Sequence, residues 1–515
     1  MVLLLISFLI VLTLLKLVHR NNHRFAKDLP SVEPCYPLLG NALMFVGKSP
    51  EQKFENLARG FLQNDRLFKL WFGPKLTLGT SHPELVQKIV NHPDCIERPL
   101  FFYKQLRMTQ GLLVARRLWK QQRKALNSTF NLKILHSFIP IFEECSRKLV
   151  NRLQNHVGCS KPINLAQFVS QCTLEMVCGT TLGMEHLQQE SGSRFLHHIE
   201  RVMDIMGERI LSIPMQITAL YFFTPMFWQE MHSLKMNRQY AAEIIDEGRR
   251  KMKANEQSNT IDEDQDGYHK PQIFLDQILS ANRAGKPFDD EEIQHNVRTM
   301  IAAGNDTSAL AISHCCLWLA MYPEIQERVY CEIKEHFPYP DSEITPEGLK
   351  NLIYTEMCIK ETLRLTGPAP NIARETLADV ELDGLIVPKG TTIILSLYAL
   401  HRRQDVWGPQ ADRFDPDNFD EDKCRTRPAG VFIPFSTGPR DCIGERLDCA
   451  FCCDTDIPFI SGGRYAMISM KIMIMYILRN FKLITQLKPE QLRYKFGPTL
   501  KLACDHMIQL EKRVD

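Results

Sequence analysis

One cysteine in this chain stands among residues that suit a buried, ionised thiol. Residues 435–444 read FSTGPRDCIG, so Cys442 lies between two glycines and follows Arg440 by two positions. Positive potential keeps a thiolate ionised, and glycines let backbone N–H groups approach the sulfur. An arginine at this spacing can pair with a carboxylate such as a haem propionate. The pattern favours a cysteine-ligated haem iron, whose thiolate promotes O–O cleavage. The alternative is an ordinary cysteine in a glycine-containing loop.

A second chemical pattern, AGNDTS at residues 303–308, lies midway along a predicted long helix. Asp306 and Thr307 form an acid–alcohol pair that could relay protons inward. Gly304 and Asn305 cost stability in a helix centre, but a small residue lets a flat ligand approach and a distortion can hold water. The alternative is a glycine used for helix packing beside a solvated aspartate.

These two segments resemble the haem-binding and oxygen-activation motifs of the cytochrome P450 superfamily, F-x-x-G-x-R-x-C-x-G and A/G-G-x-D/E-T-T/S. The resemblance covers nearly the whole chain and is closest to the family 4-like clan of eukaryotic microsomal members. It implies that Cys442 is the axial ligand of the haem iron. It also implies that Thr307 hydrogen-bonds during oxygen activation and that Asp306 feeds the proton path. The residues that it assigns to the cofactor signature are Phe435, Gly438, Arg440 and Gly444.

Other basic and aromatic residues resemble the family's partners for the haem propionates. Trp119 and Arg123 match W-x-x-x-R and lie four positions apart, on one face of a predicted helix. Arg374 follows a proline turn, where the family often has a propionate arginine. The resemblance therefore implies cofactor contacts for Trp119, Arg123, Arg374 and Arg440, although each arginine alone would be an ordinary solvated one.

Glu361 and Arg364 place an acid and a base three positions apart on one helix face. As a lone pattern this indicates a surface ion pair. In the family, E-x-x-R is a buried pair that holds the haem–cysteine region, with an arginine from a P-x-R-F segment as third partner. Asn418 stands where that arginine is expected, so the ionic network must differ here. The resemblance implies structural roles for Glu361, Arg364 and Asn418.

Residues 445–462, ERLDCAFCCDTDIPFISG, separate the cysteine from the helix that the family places directly after C-x-G. Removing these 18 residues joins Gly444 to Gly463 and puts Ala466 six positions after Cys442, where the family has a small residue. Codons at both ends are compatible with splice signals, which favours a translated intron. The alternatives are a natural loop extension and a zinc site built from the segment's cysteines, although paired C-x-x-C modules and histidines are absent.

Ala303 stands where many fatty-acid-hydroxylating relatives carry a glutamate that becomes esterified to the haem. Because alanine cannot form that ester, we expect haem b to be held noncovalently apart from the Cys442–iron bond.

The resemblance also implies O2 as co-substrate and NADPH as the source of electrons. No flavin- or nicotinamide-binding domain is found in the sequence. We therefore expect a separate NADPH-cytochrome reductase to deliver the electrons, with cytochrome b5 as a further candidate donor.

The composition limits the class of protein. A chain of 515 residues with 44% hydrophobic content can bury a large core. The formal net charge of +2 gives no sign of a nucleic-acid partner or a strongly charged substrate. The 16 cysteines are scattered and do not resemble the disulfide framework of a small secreted domain. They indicate a reducing environment that faces the cytosol.

The N-terminus predicts a membrane anchor. Residues 2–18 are apolar with three polar interruptions, and basic residues follow. The charged n-region and small-residue cleavage site of a cleaved signal peptide, which is the alternative, are not found. We predict that residues 1–19 form a transmembrane anchor in the endoplasmic reticulum (microsomal) membrane. Residues 20–40 would form a basic, proline-rich hinge, and residues 41–515 a catalytic domain that faces the cytosol.

Periodicity predicts a mainly α-helical protein with a small β region, an α+β fold. Asp289 can cap a long helix because Glu292 takes the capping-box position. The resemblance implies the helical prism of a cytochrome P450 with an N-terminal transmembrane anchor. The predicted elements are a hairpin over residues 67–80, an exposed acidic loop over residues 255–270, strands over residues 380–400, and helices over residues 289–321, 345–365 and 464–480.

The sequence thus predicts a membrane-anchored haem-thiolate monooxygenase that inserts one oxygen atom from O2 into a lipophilic small molecule. A second hypothesis keeps the haem but makes the protein an isomerase or dehydratase of a peroxide substrate; Asp306 and Thr307 argue against it. A third, non-enzymatic hypothesis is a haem-deficient product of a mis-spliced or degenerate gene. Fatty acids, hormones, pheromones and foreign lipophiles all fit as substrates.

Overall fold

The computed structural model describes residues 24–36, 39–72, 75–114, 118–184, 189–257, 273–283, 288–443 and 463–513. The predicted anchor over residues 1–19, most of the predicted acidic loop, and the inserted segment over residues 445–462 lie outside these ranges. Across the described ranges, no helix has both the length and the apolar character that crossing a bilayer requires.

The described residues form a mainly helical fold, as the sequence predicts. The helices are α1 (Pro50–Gln63), α2 (Pro83–Asn91), α3 (Leu100–Tyr103), α4 (Trp119–Leu126), α5 (Leu132–Ser137), α6 (Ile139–Gln154), α7 (Leu165–Leu182), α8 (Gln189–Ile210), α9 (Ile213–Gln216), α10 (Thr218–Phe222), α11 (Pro225–Gln257), α12 (Phe274–Arg283), α13 (Asp290–Met321), α14 (Pro323–His336), α15 (Pro346–Asn351), α16 (Ile353–Thr366), α17 (Leu397–Leu400), α18 (Gln404–Trp407), α19 (Glu421–Thr426) and α20 (Arg464–Asn480).

The strands of the described residues form small sheets beside the helices. The strands are β1 (Phe68–Phe72), β2 (Lys75–Thr80), β3 (Ile163–Asn164), β4 (Asn371–Glu375), β5 (Val380–Leu382), β6 (Leu385–Val387), β7 (Thr392–Ser396), β8 (Phe481–Ile484), β9 (Tyr494–Lys495), β10 (Lys501–Leu502) and β11 (Met507–Lys512). The largest sheet has the order β1-β2-β7-β4, and β1 pairs with β2 as the predicted antiparallel hairpin. A second sheet has the order β3-β11-β8, and β5-β6 and β9-β10 are separate pairs.

The predicted long helix is α13, and it begins at the predicted capping box. The Asp289 carboxylate accepts the N–H of Glu292 at 2.7 Å, and the Glu292 carboxylate accepts the N–H of Asp289 at 2.9 Å. At 32 residues the helix is about 48 Å long. It packs against α7, α16 and α20, and most of its side chains are buried. This position brings residues 303–308 to the middle of the fold.

The predicted helix over residues 345–365 is two helices, α15 and α16, because the chain leaves helical geometry at Leu352 (φ −74°, ψ 69°). Glu332 on α14 accepts the backbone N–H groups of Tyr354 at 2.6 Å and of Thr355 at 2.8 Å. These bonds satisfy donors of the first turn of α16 that have no partner within the helix. A side chain from another helix therefore sets where α16 begins.

The predicted strand region over residues 380–400 also ends differently. Three strands form there, but residues 397–400 are the short helix α17. The Ser396 hydroxyl accepts the N–H of Ala399 at 3.3 Å, as an N-cap residue does. The turn is apolar and buried, so its composition resembles that of the preceding buried strand.

Candidate functional site

An apolar cavity of about 430 Å³ lies between the middle of α13, the C-terminal half of α8 and residues 434–443. Its wall brings together Cys442, Asp306 and Thr307, which the sequence analysis selected from two separate motifs. Apolar side chains from several elements complete the wall, among them Phe72, Phe102, Leu106, Met206, Ile210 and Ile394. The cavity can therefore hold a lipophilic molecule beside a thiol and an acid–alcohol pair.

The loop that carries Cys442 turns back on itself at Gly438. Gly438 has a left-handed φ of +79°, and a Cβ there would lie 2.5 Å from the carbonyl oxygen of Val90. Only glycine fits both constraints without strain. The N–H of Cys442 donates to the carbonyl oxygen of Phe435 at 3.1 Å, so the two ends of the loop meet. Gly444 lies outside the described residues.

Gly463 meets the same loop from the other side of the inserted segment. It is the N-cap of α20 with a left-handed φ of +60°. A Cβ on Gly463 would lie 2.4 Å from a ring carbon of Phe435. Cys442 and Gly463 therefore both contact Phe435, and all three line the cavity. The N-terminus of α20 begins at the cavity, where its positive end favours an anionic ligand.

Two of the predicted propionate partners are deeply buried. Arg374 and Arg440 are 1% and 2% exposed. The Arg440 guanidinium lies 4.1 Å from the ring centroid of Trp119, and its Nε donates to the carbonyl oxygen of Ile96 at 3.0 Å. Arg374 reaches the hydroxyl of Ser436 at 3.4 Å, at the limit of a hydrogen bond. Trp119 thus supports Arg440 by stacking.

Arg98 joins these arginines, and the sequence analysis missed it. It lines the cavity, and among the described residues its buried Nε has no hydrogen-bond partner, nor does the Nε of Arg374. Burial, followed by repulsion from Arg98, lowers the pKa of Arg374 to about 10 and that of Arg440 to about 9. Buried cations of this kind are costly unless anions pair with them.

The haem that the resemblance implies fits this arginine cluster. Its two propionates would supply the negative charge that Arg98 and Arg374 lack, by charge-assisted hydrogen bonds. The sulfur of Cys442 lines the same cavity. The donor set therefore matches a dianionic porphyrin with a thiolate-ligated iron. No local signal could have identified Arg98, because it belongs to neither sequence motif and is separated from both by more than 200 residues.

Arg123 takes a different position from the arginine cluster. Its Nη1 donates to the carbonyl oxygen of Asp441 at 2.8 Å, and its Nη2 contacts the Asp441 carboxylate at 2.6 Å and the carbonyl oxygen of Cys442 at 3.2 Å. Burial raises the pKa of Asp441 to about 6, although Arg123 opposes this. Arg123 thus holds the cysteine loop to α4. Its predicted contact with a propionate stays a prediction.

Asp306 and Thr307 both reach the cavity, but their hydrogen bonds go to different partners. The Thr307 hydroxyl donates to the carbonyl oxygen of Ala303 at 2.6 Å, within α13. The Asp306 carboxylate accepts the hydroxyl of Thr499 at 2.6 Å. Thr499 follows 192 residues after Thr307 in the chain and was missed, because only the folded chain brings the two segments together.

The neighbouring Gly304 supports the helix-packing interpretation. A Cβ there would lie 3.0 Å from Cγ2 of Val177 on α7. The next residue, Asn305, accepts the hydroxyl of Thr173 on α7 at 2.7 Å. Gly304 and Asn305 therefore fix α13 against α7, and Gly304 also lines the cavity.

Glu361 and Arg364 form a buried pair rather than a surface one. Both side chains are 0% exposed and share two contacts of 2.7 Å. Arg364 also donates to the carbonyl oxygens of His401 and Ala411. Asn418 donates its Nδ2 to Glu361 at 3.0 Å, so the amide partners the acid.

Comparisons with known proteins agree with the site. The family model described as Cytochrome P450 matches residues 30–448. "Cytochrome P450 4c21" of Blattella germanica is 30% identical over 476 residues, 92% of this chain and 91% of that protein. "Cytochrome P450 4c3" of Drosophila melanogaster is 30% identical over 490 residues, 92% of this chain and 88% of that protein. "Cytochrome P450 4V2" of Homo sapiens is 29% identical over 500 residues, 95% of this chain and 90% of that protein. The chain therefore belongs to the cytochrome P450 family of haem-thiolate monooxygenases.

Proposed function

We propose that this protein inserts one oxygen atom from O2 into a lipophilic substrate, with electrons that a separate reductase delivers from NADPH. The observation that carries the proposal is the cavity in which Cys442, Asp306 and Thr307 share a wall with apolar side chains. When bound, haem supplies O2 binding and O–O cleavage. The apolar lining places the substrate and excludes water from the reacting carbon.

The described residues divide the work of holding haem. Cys442 would ligate the iron, and Arg98, Arg374 and Arg440 would bind the propionates. Trp119 stacks on Arg440 and limits its rotation. Three further residues act on the cysteine loop itself: Arg123 by its contact with Asp441, Gly438 by its left-handed turn and Phe435 by its contact with the cysteine N–H.

Proton delivery would use Asp306 and Thr307. The Thr307 hydroxyl gives its hydrogen to its own helix, so its oxygen can accept a hydrogen bond from a donor in the cavity. Asp306 is 8% exposed and held by Thr499, which keeps the carboxylate at the cavity wall. Thr307→Ala should lower product formed per NADPH consumed and raise hydrogen peroxide release. An unchanged ratio of product formed to NADPH consumed would contradict the role of Thr307.

The ferrous–carbon monoxide spectrum of the purified protein tests the thiolate assignment. A strongly red-shifted Soret band is expected in the unsubstituted protein and in Cys331→Ala, whose cysteine is exposed outside the cavity. Cys442→Ala should lose the band. An identical band in Cys442→Ala would overturn the assignment. Turnover that needs O2 and reductant supports the monooxygenase, whereas reductant-free conversion of a hydroperoxide supports an isomerase.

We also propose that residues 445–462 are translated intron sequence absent from the functional protein. The contacts of Cys442 and Gly463 with Phe435 support this, since both flanks of the segment meet at one residue. The family match, which ends at residue 448, supports it too. Protein expressed without residues 445–462 should bind more haem and give the larger carbon monoxide band. Equal bands in both forms would count against the proposal and against a haem-deficient gene product. Transcripts that all include the segment would count against the proposal and would favour a haem-deficient gene product.

We propose a location at the endoplasmic reticulum membrane, with residues 1–19 as the anchor. An exposed apolar group between α10 and α11 and at the start of α11 supports a second contact with lipid, since Phe223 is 82% exposed and Trp228 is 58% exposed. Protein lacking residues 1–19 should bind phosphatidylcholine vesicles weakly, and Phe223→Ser with Trp228→Ser should abolish that remaining binding. Equal flotation of all three forms would refute both contacts.

A further inference from the structure

Arg298 on α13 is a buried cation that has no ion-pair partner among the described residues. It is 4% exposed, and its one hydrogen bond joins Nε to the carbonyl oxygen of Gln294 at 3.4 Å. Among the described residues, no carboxylate forms an ion pair with it. Burial, followed by repulsion from Arg238, lowers the pKa of Arg298 to about 10, so the side chain is still charged at neutral pH. A buried charge is stable only when an opposite charge or strong hydrogen bonds offset the lost hydration.

A small cavity lies beside Arg298, between α8, α11 and α13. It holds about 20 Å³, whereas about 10–15 Å³ is enough for one water molecule. Asn237 on α11 lines it, and the buried Oδ1 of Asn237 has no hydrogen-bond partner in the described residues. Since the two ends of an amide are assigned from its hydrogen bonds, Asn237 can instead present its NH2 donors to this cavity. The other residues that line this cavity are apolar, so their side chains offer no strong hydrogen-bond acceptor to the Arg298 guanidinium.

Arg238 adds positive potential at Arg298, and the exposed Glu291 opposes it. His295 lies one turn before Arg298, and burial, Arg298 and Arg238 lower its pKa to about 4. The His295 imidazole is therefore neutral at pH 7, and its Nδ1 accepts the N–H of Gln110 at 3.3 Å. Glu291 reaches His295 only at 4.0 Å and is 66% exposed, so it screens the buried site weakly.

We propose that Arg298 and Asn237 form a buried site for one monovalent anionic group. The cavity fits a halide-sized ion or the two oxygens of a carboxylate, and the low dielectric of the surroundings strengthens the pairing. The occupant could be a free small anion or the carboxylate of a molecule bound in the large cavity. Either source supplies one negative charge to Arg298. A ligand in the large cavity can reach the site because the two cavities share the lining residues Leu106, Met108, Met203 and Ala302.

The distance along α13 gives the length of a carboxylate ligand that would reach the chemistry. Ala302 is four residues after Arg298 on the same helix face and lines both cavities. Thr307 is nine residues after Arg298, which corresponds to about 14 Å of helix. An extended chain of about twelve carbon atoms spans this distance along the helix axis. Dodecanoate is therefore a suitable probe, and dodecanol is its uncharged match.

Two measurements on the haem-loaded protein test the site and separate its sources. Crystals soaked in sodium bromide should show anomalous density within hydrogen-bond distance of the Arg298 guanidinium. Calorimetry should show dodecanoate binding about tenfold or more tightly than dodecanol, and Arg298→Gln should remove that preference. Arg59→Gln, an exposed arginine on α1, is the matched control and should keep it.

Bromide density without a preference for the carboxylate identifies a free-anion site. A preference that depends on Arg298 identifies the carboxylate of a cavity ligand, and only this result rests on the proposed monooxygenase function. Absence of bromide density together with equal binding of dodecanoate and dodecanol overturns the proposal. Where Arg298→Gln fails to fold, the presence or absence of bromide density at the Arg298 guanidinium in the unsubstituted protein decides the proposal. The carbon monoxide band of the same preparation reports separately on the proposed function.

Discussion

Glu361→Gln should strongly destabilise the scaffold beneath the cysteine loop. The substitution keeps the shape of the side chain and removes its charge from a pair that is 0% exposed. Arg364 connects this pair to the loop, because it donates to the carbonyl oxygen of His401 at 2.8 Å. His401 in turn accepts the N–H of Ile433 at 3.1 Å, just before the loop begins.

The geometry sets the size of the effect. Removing one partner of a buried ion pair costs about 3–5 kcal/mol. The carbonyl oxygens of His401, Ala411 and Arg413 still accept from Arg364, so the expected loss of unfolding free energy is about 3 kcal/mol. Asn418→Ala removes one hydrogen bond to the carboxylate, while Glu361 keeps the N–H of Asp415. That smaller change should cost about 1–2 kcal/mol.

Urea unfolding of the haem-loaded protein, followed together with the carbon monoxide band, measures both losses. The matched control is Glu144→Gln, which breaks an exposed pair with Lys148 at 2.7 Å and should cost under about 0.5 kcal/mol. The band should weaken in Glu361→Gln, because the contacts through His401 support the loop. The reasoning is refuted if Glu361→Gln is no more destabilising than Glu144→Gln.

Three further predictions follow from buried groups. Arg374→Met should stabilise the haem-free protein by about 1–3 kcal/mol, because it removes a buried cation that Arg98 repels. It should also lower haem affinity if Arg374 binds a propionate as proposed. Thermal unfolding and haem transfer measure the two effects. Lowering the pH from 7 to 5 should cost about 2 kcal/mol through His314 alone, whose pKa burial lowers to about 4, because the unfolded state binds the proton first. Gly463→Val should collide with the ring of Phe435 and lower haem content on purification.

Matched variants isolate each cause. His314→Gln should reduce the loss of unfolding free energy between pH 7 and 5 by about 2 kcal/mol, whereas His197→Gln, at an exposed histidine, should leave it unchanged. The other buried histidines keep the rest of the pH dependence. Gly390 has a left-handed φ of +79° with open space around it. Gly390→Ala should therefore lower the free energy of unfolding by only about 1 kcal/mol. Equal haem loss in Gly390→Ala and Gly463→Val would contradict the collision with Phe435. A haem-free Arg374→Met protein less stable than its parent would contradict the repulsion argument.

Local signals were enough to predict the elements that carry the chemistry. The capping box at Asp289 and Glu292 lies within four residues, so sequence alone placed the start of α13. The start of α20 at Arg464 was predicted from the chain that follows the inserted segment. The break at Leu352 was missed because its cause, the carboxylate of Glu332, comes from another helix.

The same distinction explains which site residues were found. Cys442 and Arg440 belong to one short motif, and Asp306 and Thr307 to another, so spacing identified them. Arg98, Thr499 and Arg298 carry no motif, and their significance depends on the burial and neighbours that the fold gives them. The missing information is the set of long-range contacts.

Contacts across the inserted segment bear on how the cysteine loop can tolerate it. Arg123 holds Asp441 and the carbonyl oxygen of Cys442 from α4, and Phe435 holds the cysteine N–H from within the loop. The residues that make these contacts all precede the inserted segment. Of the residues that follow the segment, Gly463 packs against the ring of Phe435. Loop position should therefore depend little on residues 445–462. Because α20 packs against α6, α13, α14 and α16, any effect of the segment should be confined to the N-terminus of α20 at Gly463. The two-sided packing of Phe435 is where an effect of the segment on haem binding should first be measurable.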